Sequence, residues 1–201
     1  MERSFNLRLD GLKPYLDDLA SASPVPGGGV AAAVTVAQGL ALLSMVCNLT
    51  IGKKKFSTVE SQVKEIHDQV SSMRAAALSE AEADKDAFGI VMMAYRMPTE
   101  TDEQKSARKT ALAKATREAA VPPFRLMTLA TQAFPLADQL EKIGNPGVLS
   151  DVLVGRHLLI AGYKSSIVNV EVNLNNLSPD DPFTNEMRIK MDALIARFPC
   201  H

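Results

Sequence analysis

The sequence predicts an all-α protein: a bundle of long antiparallel helices forming a single domain over residues 1–201. Three observations carry this. Aromatic residues make up 5 % of the chain and Trp is absent, while Ala and Met are plentiful, a balance that suits helices and disfavours aromatic-rich sheets. Apolar residues recur at three- and four-residue spacing through most of the chain. Pro and Gly cluster between those stretches, and no segment reads convincingly as a strand.

The first helix covers residues 5–20, with Phe5, Leu9, Leu12, Leu16 and Leu19 on one stripe and Pro14 placing its regular part from about residue 13. Ser23-Pro24-Val25-Pro26-Gly27-Gly28-Gly29 breaks the chain. Residues 30–51 then carry no charge. Such a run raises the question of a membrane span. Its content of Ala, Gly, Ser and Thr, with Gln38 and Asn48 inside it and no second such segment, points instead to the buried central helix of a soluble bundle. Residues 57–96 form one very long helix, whose stripe runs through Val59, Val63, Ile66, Val70, Met73 and Ala77 to Phe88, Val91 and Tyr95, and which Pro98 ends. Thr101 and Gln104 read as a capping box for the next helix. Pro122-Pro123 breaks or kinks it near Val121, and a further helix covers 124–143 with Pro135 inside it. After the turn Gly144-Asn145-Pro146-Gly147 come a helix over 148–177 and a last one over 184–198. Helices of about 30 to 40 residues exceed what a compact monomer of this size needs, at 1.5 Å per residue, so a homodimer packed along them is expected.

The net charge of −1 supplies no basic field, so nucleic acid is not an expected partner. Cys47 and Cys200 make no disulfide framework, and three His cannot build a rich metal centre; no metal and no resident cofactor are expected. MERSFNLRLD lacks the apolar core of a signal peptide, so a cytoplasmic protein without a membrane partner is expected.

Polar residues out of pattern mark candidate sites. With Ile66 as origin and 100° per residue, the apolar stripe of the long helix lies within about 40°, and Asp84 falls at about 0°. A carboxylate there forms a buried ion pair, swings outward through a slight overwinding, or serves a site. On the helix 148–177, Gly162, Ser166, Asn169, Asn173 and Asn176 form a polar stripe opposite Lys164, Glu171 and Asn175. Such amides bond one another or a neighbouring helix, or line a pocket. Lys53-Lys54-Lys55 complements a helix C-terminus or meets an anion. Gly27-Gly28-Gly29 permits a tight turn or opens a helix N-terminus to a ligand. Asp151 either favours a helix dipole or acts as a second carboxylate.

Taken together, these segments resemble the cyclodeaminase/cyclohydrolase family, which comprises the cyclodeaminase domain of formiminotransferase-cyclodeaminase and stand-alone methenyltetrahydrofolate cyclohydrolases. The resemblance rests on the Ser23–Gly29 motif and on Met45-Val46-Cys47-Asn48-Leu49-Thr50-Ile51-Gly52-Lys53-Lys54-Lys55-Phe56. Asp84-Lys85-Asp86-Ala87-Phe88, Gly144-Asn145…Ser150-Asp151 and Asn169-Val170…Asn173 add to it. Val25 stands where relatives often have Thr, and Val152-Leu153 where they often have Ala-Gly.

The resemblance implies a homodimeric, metal-free enzyme acting on one-carbon tetrahydrofolates. By it, Asp84, Lys53 and Asp151 are the catalytic candidates. Gly27, Gly28, Gly29, Asn48, Asn145, Ser150, Asn169 and Asn173 would bind the substrate, and Lys54 and Lys55 would meet its glutamyl tail. The chain has no room for a transferase domain, which favours hydrolysis of 5,10-methenyltetrahydrofolate to 10-formyltetrahydrofolate. The alternative is formimidoyltetrahydrofolate cyclodeaminase. A non-catalytic folate-binding or scaffold protein is the third reading.

Overall fold

The computed structural model describes residues 11–198. Phe5, Leu9 and Cys200 lie outside the described residues. The described chain folds into α1 (Leu12–Leu19), α2 (Gly28–Asn48), α3 (Glu60–Tyr95), α4 (Asp102–Ala119), α5 (Val121–Ile143), α6 (Leu149–Asn175) and α7 (Pro182–Ile195). Short 3₁₀ turns at Lys54–Phe56 and Pro146–Val148 connect α2 to α3 and α5 to α6. Among the described residues there is no strand.

The charge-free helix is the centre of the bundle. α2 packs on α3, α5 and α6, and buries Ala33, Val36, Leu40, Leu43, Val46 and Cys47 completely. It is long and apolar enough to cross a membrane, yet 56 % of its apolar window is buried inside the bundle. Small residues set its distance from α6. A Cβ on Gly39 would meet the Gly155 carbonyl oxygen at 2.9 Å, and one on Gly155 would meet the Gly39 carbonyl oxygen at 3.2 Å. The two backbones therefore touch where side chains would hold them apart. The partners run in opposite order, Gly155 against Gly39, Gly162 against Val36 and Asn169 against Gly28, so α2 and α6 are antiparallel.

Local chemistry explains most boundaries. Thr101 and Gln104 form the reciprocal capping box of α4. α4 stops at Ala119 and α5 begins with Pro122 and Pro123 in its first turn, where a missing N–H costs nothing. α5 runs on through Pro135. Several expected boundaries shift: α3 starts three residues later and α5 three residues earlier than expected. Gly28 and Gly29 belong to α2 rather than to the turn before it, and α7 starts two residues earlier, capped by Asp181, whose carboxylate accepts from the Phe183 N–H at 3.0 Å. Asp181 is buried and also held by the Arg117 guanidinium, which joins α4 to the last helix and keeps the Asp181 carboxyl below its usual range.

Candidate active site

α2, α3, α4 and α6 enclose a cleft of about 400 Å³ at the N-terminal end of α2. Gly27, Gly28 and Gly29 form one edge, Asp84 and Asn169 flank it, and Thr116, Asn173 and Asn176 add further polar groups to the wall. Its middle is apolar, lined by Phe88, Val91, Met92, Ala119 and Val172.

Asp84 sits where its helical phase puts it, on the inward face of α3, and packs directly on Gly29. A methyl group at Gly29 would overlap the Asp84 carboxylate, so the glycine is required by this approach. Among the described residues no group donates a hydrogen bond or an opposite charge to that carboxylate. Burial alone pushes its pKa above the ordinary value. The neighbouring Lys85 is engaged elsewhere, with Glu82 at 2.6 Å. An unpaired, partly buried acid facing a cleft is the usual signature of a functional group rather than of a structural pair.

The amide stripe of α6 divides along its length. Ser166 is buried and its hydroxyl donates to the Gly162 carbonyl at 2.8 Å. Asn169 donates to the Ser165 carbonyl at 2.8 Å, and Asn173 donates to both Asn169 and Ala119 carbonyls, at 2.9 and 3.1 Å. Both donor groups are thus fixed by backbone. The Oδ1 atoms are left without a donor among the described residues. With Asp84, the polar end of the cleft is rich in acceptors and suits a ligand carrying N–H groups or positive charge.

The remaining candidates do not join this cluster within one chain. Lys53, Lys54 and Lys55 are exposed at the C-terminal end of α2, about 30 Å from Gly28 by the rise of its 21 residues. Lys55 lies over the Phe56 ring at 4.6 Å. Asn48 ends α2, while Ser150 and Asp151 lie in the first turn of α6, at the same far end. Asn145 is spent on structure. Its amide donates to the Leu49 carbonyl at 3.1 Å, its backbone N–H to Thr50 Oγ1 at 3.0 Å, and its Oδ1 accepts from Gly147. Within one chain the candidate residues therefore fall into two groups, one at each end of α2, because the Gly-rich and Lys-rich motifs flank its 21 residues. Cys47 is fully buried and its thiol is pushed up to about 12, which fits packing and not nucleophilic chemistry. Sequence reading missed Thr116 and Met92; only the crossing of α4 and α3 brings them to the cleft.

A family model described as formiminotransferase-cyclodeaminase matches residues 11–193. The chain belongs to the formiminotransferase-cyclodeaminase family. Within this family it is 38 % identical to a methenyltetrahydrofolate cyclohydrolase of Methylorubrum extorquens, over 92 % of this chain and 88 % of that protein. It is 30 % identical to the formimidoyltransferase-cyclodeaminase of Rattus norvegicus, covering 92 % of this chain but 34 % of that longer protein. The crystal structure of formiminotetrahydrofolate cyclodeaminase from Thermotoga maritima superposes with a TM-score of 0.81 at 30 % identity, covering 92 % of this chain and 88 % of that one. The family fold is thus the all-helical bundle described above.

Proposed function

We propose that this protein is a methenyltetrahydrofolate cyclohydrolase, converting 5,10-methenyltetrahydrofolate to 10-formyltetrahydrofolate. The observation that carries the reading is the unpaired Asp84 carboxylate packed on Gly29 beside two amide oxygens in an open cleft. The substrate is a cationic amidinium on a ring rich in N–H donors, and an acceptor-lined pocket complements both features.

Asp84 takes a proton from water as the water oxygen bonds to the methenyl carbon. The cation becomes a neutral tetrahedral adduct. The carbon–N5 bond then breaks, its electron pair going to N5, and Asp84 returns its proton there. Loss of the remaining hydroxyl proton to solvent leaves the formyl group on N10, with one proton released overall. A carboxyl with a raised pKa is matched to both halves of this transfer. Asn169 and Asn173, anchored by backbone, orient the ring.

A second reading is the cyclodeaminase, in which N10 attacks a 5-formimino carbon and ammonia leaves; the Thermotoga maritima and Rattus norvegicus relatives carry that name. Loss of methenyl absorbance by purified protein, measured against ammonia release from formiminotetrahydrofolate, distinguishes the two. Activity on neither supports a non-catalytic folate binder. The chemistry asks for no metal or resident cofactor, and a cytoplasmic enzyme without membrane or nucleic-acid partners is the matching setting.

The same proposal includes a homodimer. Met45 and Leu49 on α2 and Val154, Val168 and Val172 on α6 are exposed, the last two by 57 % and 55 %. Val172 lines the cleft, the others are exposed apolar side chains along α6 and at the C-terminal end of α2, and α2 itself carries no charge. A second copy related by a twofold axis across the middle of α2 covers these side chains. It also brings its own Lys53–Lys55, Asn48 and Asp151 toward the Asp84 cleft, which accounts for the division of the motif residues between two ends. Sedimentation of wild type and Met45→Asp tests this: dimer for the first, monomer for the second. A monomeric wild type would remove the dimer without touching the fold.

A further inference from the structure

If the Lys cluster lies about 30 Å from Asp84 within a chain, the anionic end of a folate needs a cation closer to hand. Asp84, Phe88, Val91 and Tyr95 recur at four-, three- and four-residue spacing and all line the cleft. The cleft floor therefore follows one face of α3 for eleven residues, about 16 Å at 1.5 Å each. Its polar end is Asp84 and its outer end is the half-exposed Tyr95 ring.

Arg108 of α4 stands over that ring, its guanidinium carbon 5.8 Å from the centroid. It shares the side of α4 that carries Ala115 and Ala119, which pack with Ala87 and Val91 of α3. Arg108 makes no hydrogen bond or ion pair among the described residues. Its Nε is shut off from solvent without an acceptor. Lys85, the cation that lines the cleft itself, is already bonded to Glu82 at 2.6 Å. Stacking on Tyr95 restricts the Arg108 fork without neutralising it. A planar, pre-positioned and unpaired guanidinium is suited to bidentate capture of a carboxylate.

We infer that Arg108 recognises the glutamyl carboxylate of the folate substrate at the Tyr95 end of the cleft, which makes it a specificity residue rather than a catalytic one. This rests on the folate reading above. The cleft then reads its ligand in sequence: N–H-bearing ring at Asp84 and Asn169, arene against Phe88 and Val91, anion at Arg108. Arg108 supplies from within the chain a contact that the lysines can supply only from a second copy.

The test measures binding separately from turnover. The stable ligand 5-formyltetrahydrofolate and its analogue lacking glutamate, 5-formyltetrahydropteroate, are titrated into wild type, Arg108→Gln and Arg108→Lys. Wild type should prefer the glutamylated ligand by about tenfold or more, the usual worth of one charge-assisted pair. Arg108→Gln should bring the two ligands to near equality with pteroate binding unchanged, and Arg108→Lys should keep part of the preference. In turnover, Arg108→Gln should raise KM with kcat held. Three outcomes overturn the inference: no preference in wild type, a preference that survives Arg108→Gln, or equal weakening of both ligands, which marks a structural role. If the preference depends on Arg108 while neither methenyl- nor formiminotetrahydrofolate is turned over, the inference stands and the enzyme reading falls.

Discussion

Asp84 and Gly29 are coupled by contact, and each predicts a distinct phenotype. Asp84→Asn should lower turnover well over tenfold while leaving helix content intact, as followed by methenyl absorbance and circular dichroism. The same substitution should raise thermal stability at neutral pH. A carboxyl whose folded pKa is raised stabilises the fold only when protonated, and that contribution is lost as pH rises through the folded value. The gain in melting temperature should therefore shrink as pH falls through the raised folded value and be gone below the ordinary carboxylate value. Gly29→Ala forces the Asp84 carboxylate aside and should lose activity comparably, with substrate binding weakened as well. Asp84 was legible in the sequence because a helix repeats every 3.6 residues, so a charge in phase with an apolar stripe stands out from its spacing alone. Asn169 and Asn173 were legible on the same ground. Arg108 and Thr116 carried no such signal, since neither interrupts a pattern on its own helix.

Elements are joined here by two contrasting devices. Between α2 and α6 the device is absence of side chains at Gly39, Gly155 and Gly162. Gly39→Val should cost about 1–3 kcal/mol in denaturant unfolding, because the Gly155 carbonyl cannot retreat without unseating α6. Between α4 and α7 the device is the Arg117–Asp181 pair, with Asp181 also capping α7. Asp181→Asn should lower the melting temperature at neutral pH. Because the folded pKa of Asp181 is depressed, the difference should fade as pH falls through that value, opposite in sign to Asp84. The capping box, the proline pair and the glycine turn announced their boundaries in the sequence because each satisfies or removes specific backbone donors. The start of α2 did not: glycines opening a helix look the same as glycines in the turn before it.

At the scale of the molecule, the motif residues lie at two ends of α2, and the proposed dimer is what would bring them into one site. A mixture of Asp84→Asn chains with chains carrying Lys53→Gln, Lys54→Gln and Lys55→Gln, refolded together, should recover activity that neither variant has alone. Absence of recovery would confine the site to one chain. The sequence by itself determined the all-helical class, the order of the helices, the central position of α2 and the inward phase of Asp84 and the asparagines. Each of these follows from periodicity, composition or a backbone donor count, which are local properties. Only the tertiary structure decided which of the marked residues meet. Helix periodicity fixes the angle of a side chain about its own axis. It says nothing of the end at which a neighbouring antiparallel helix arrives, and that placed Gly29, Asp84 and Asn169 together and left Lys53, Asn145 and Asp151 at the other end of α2.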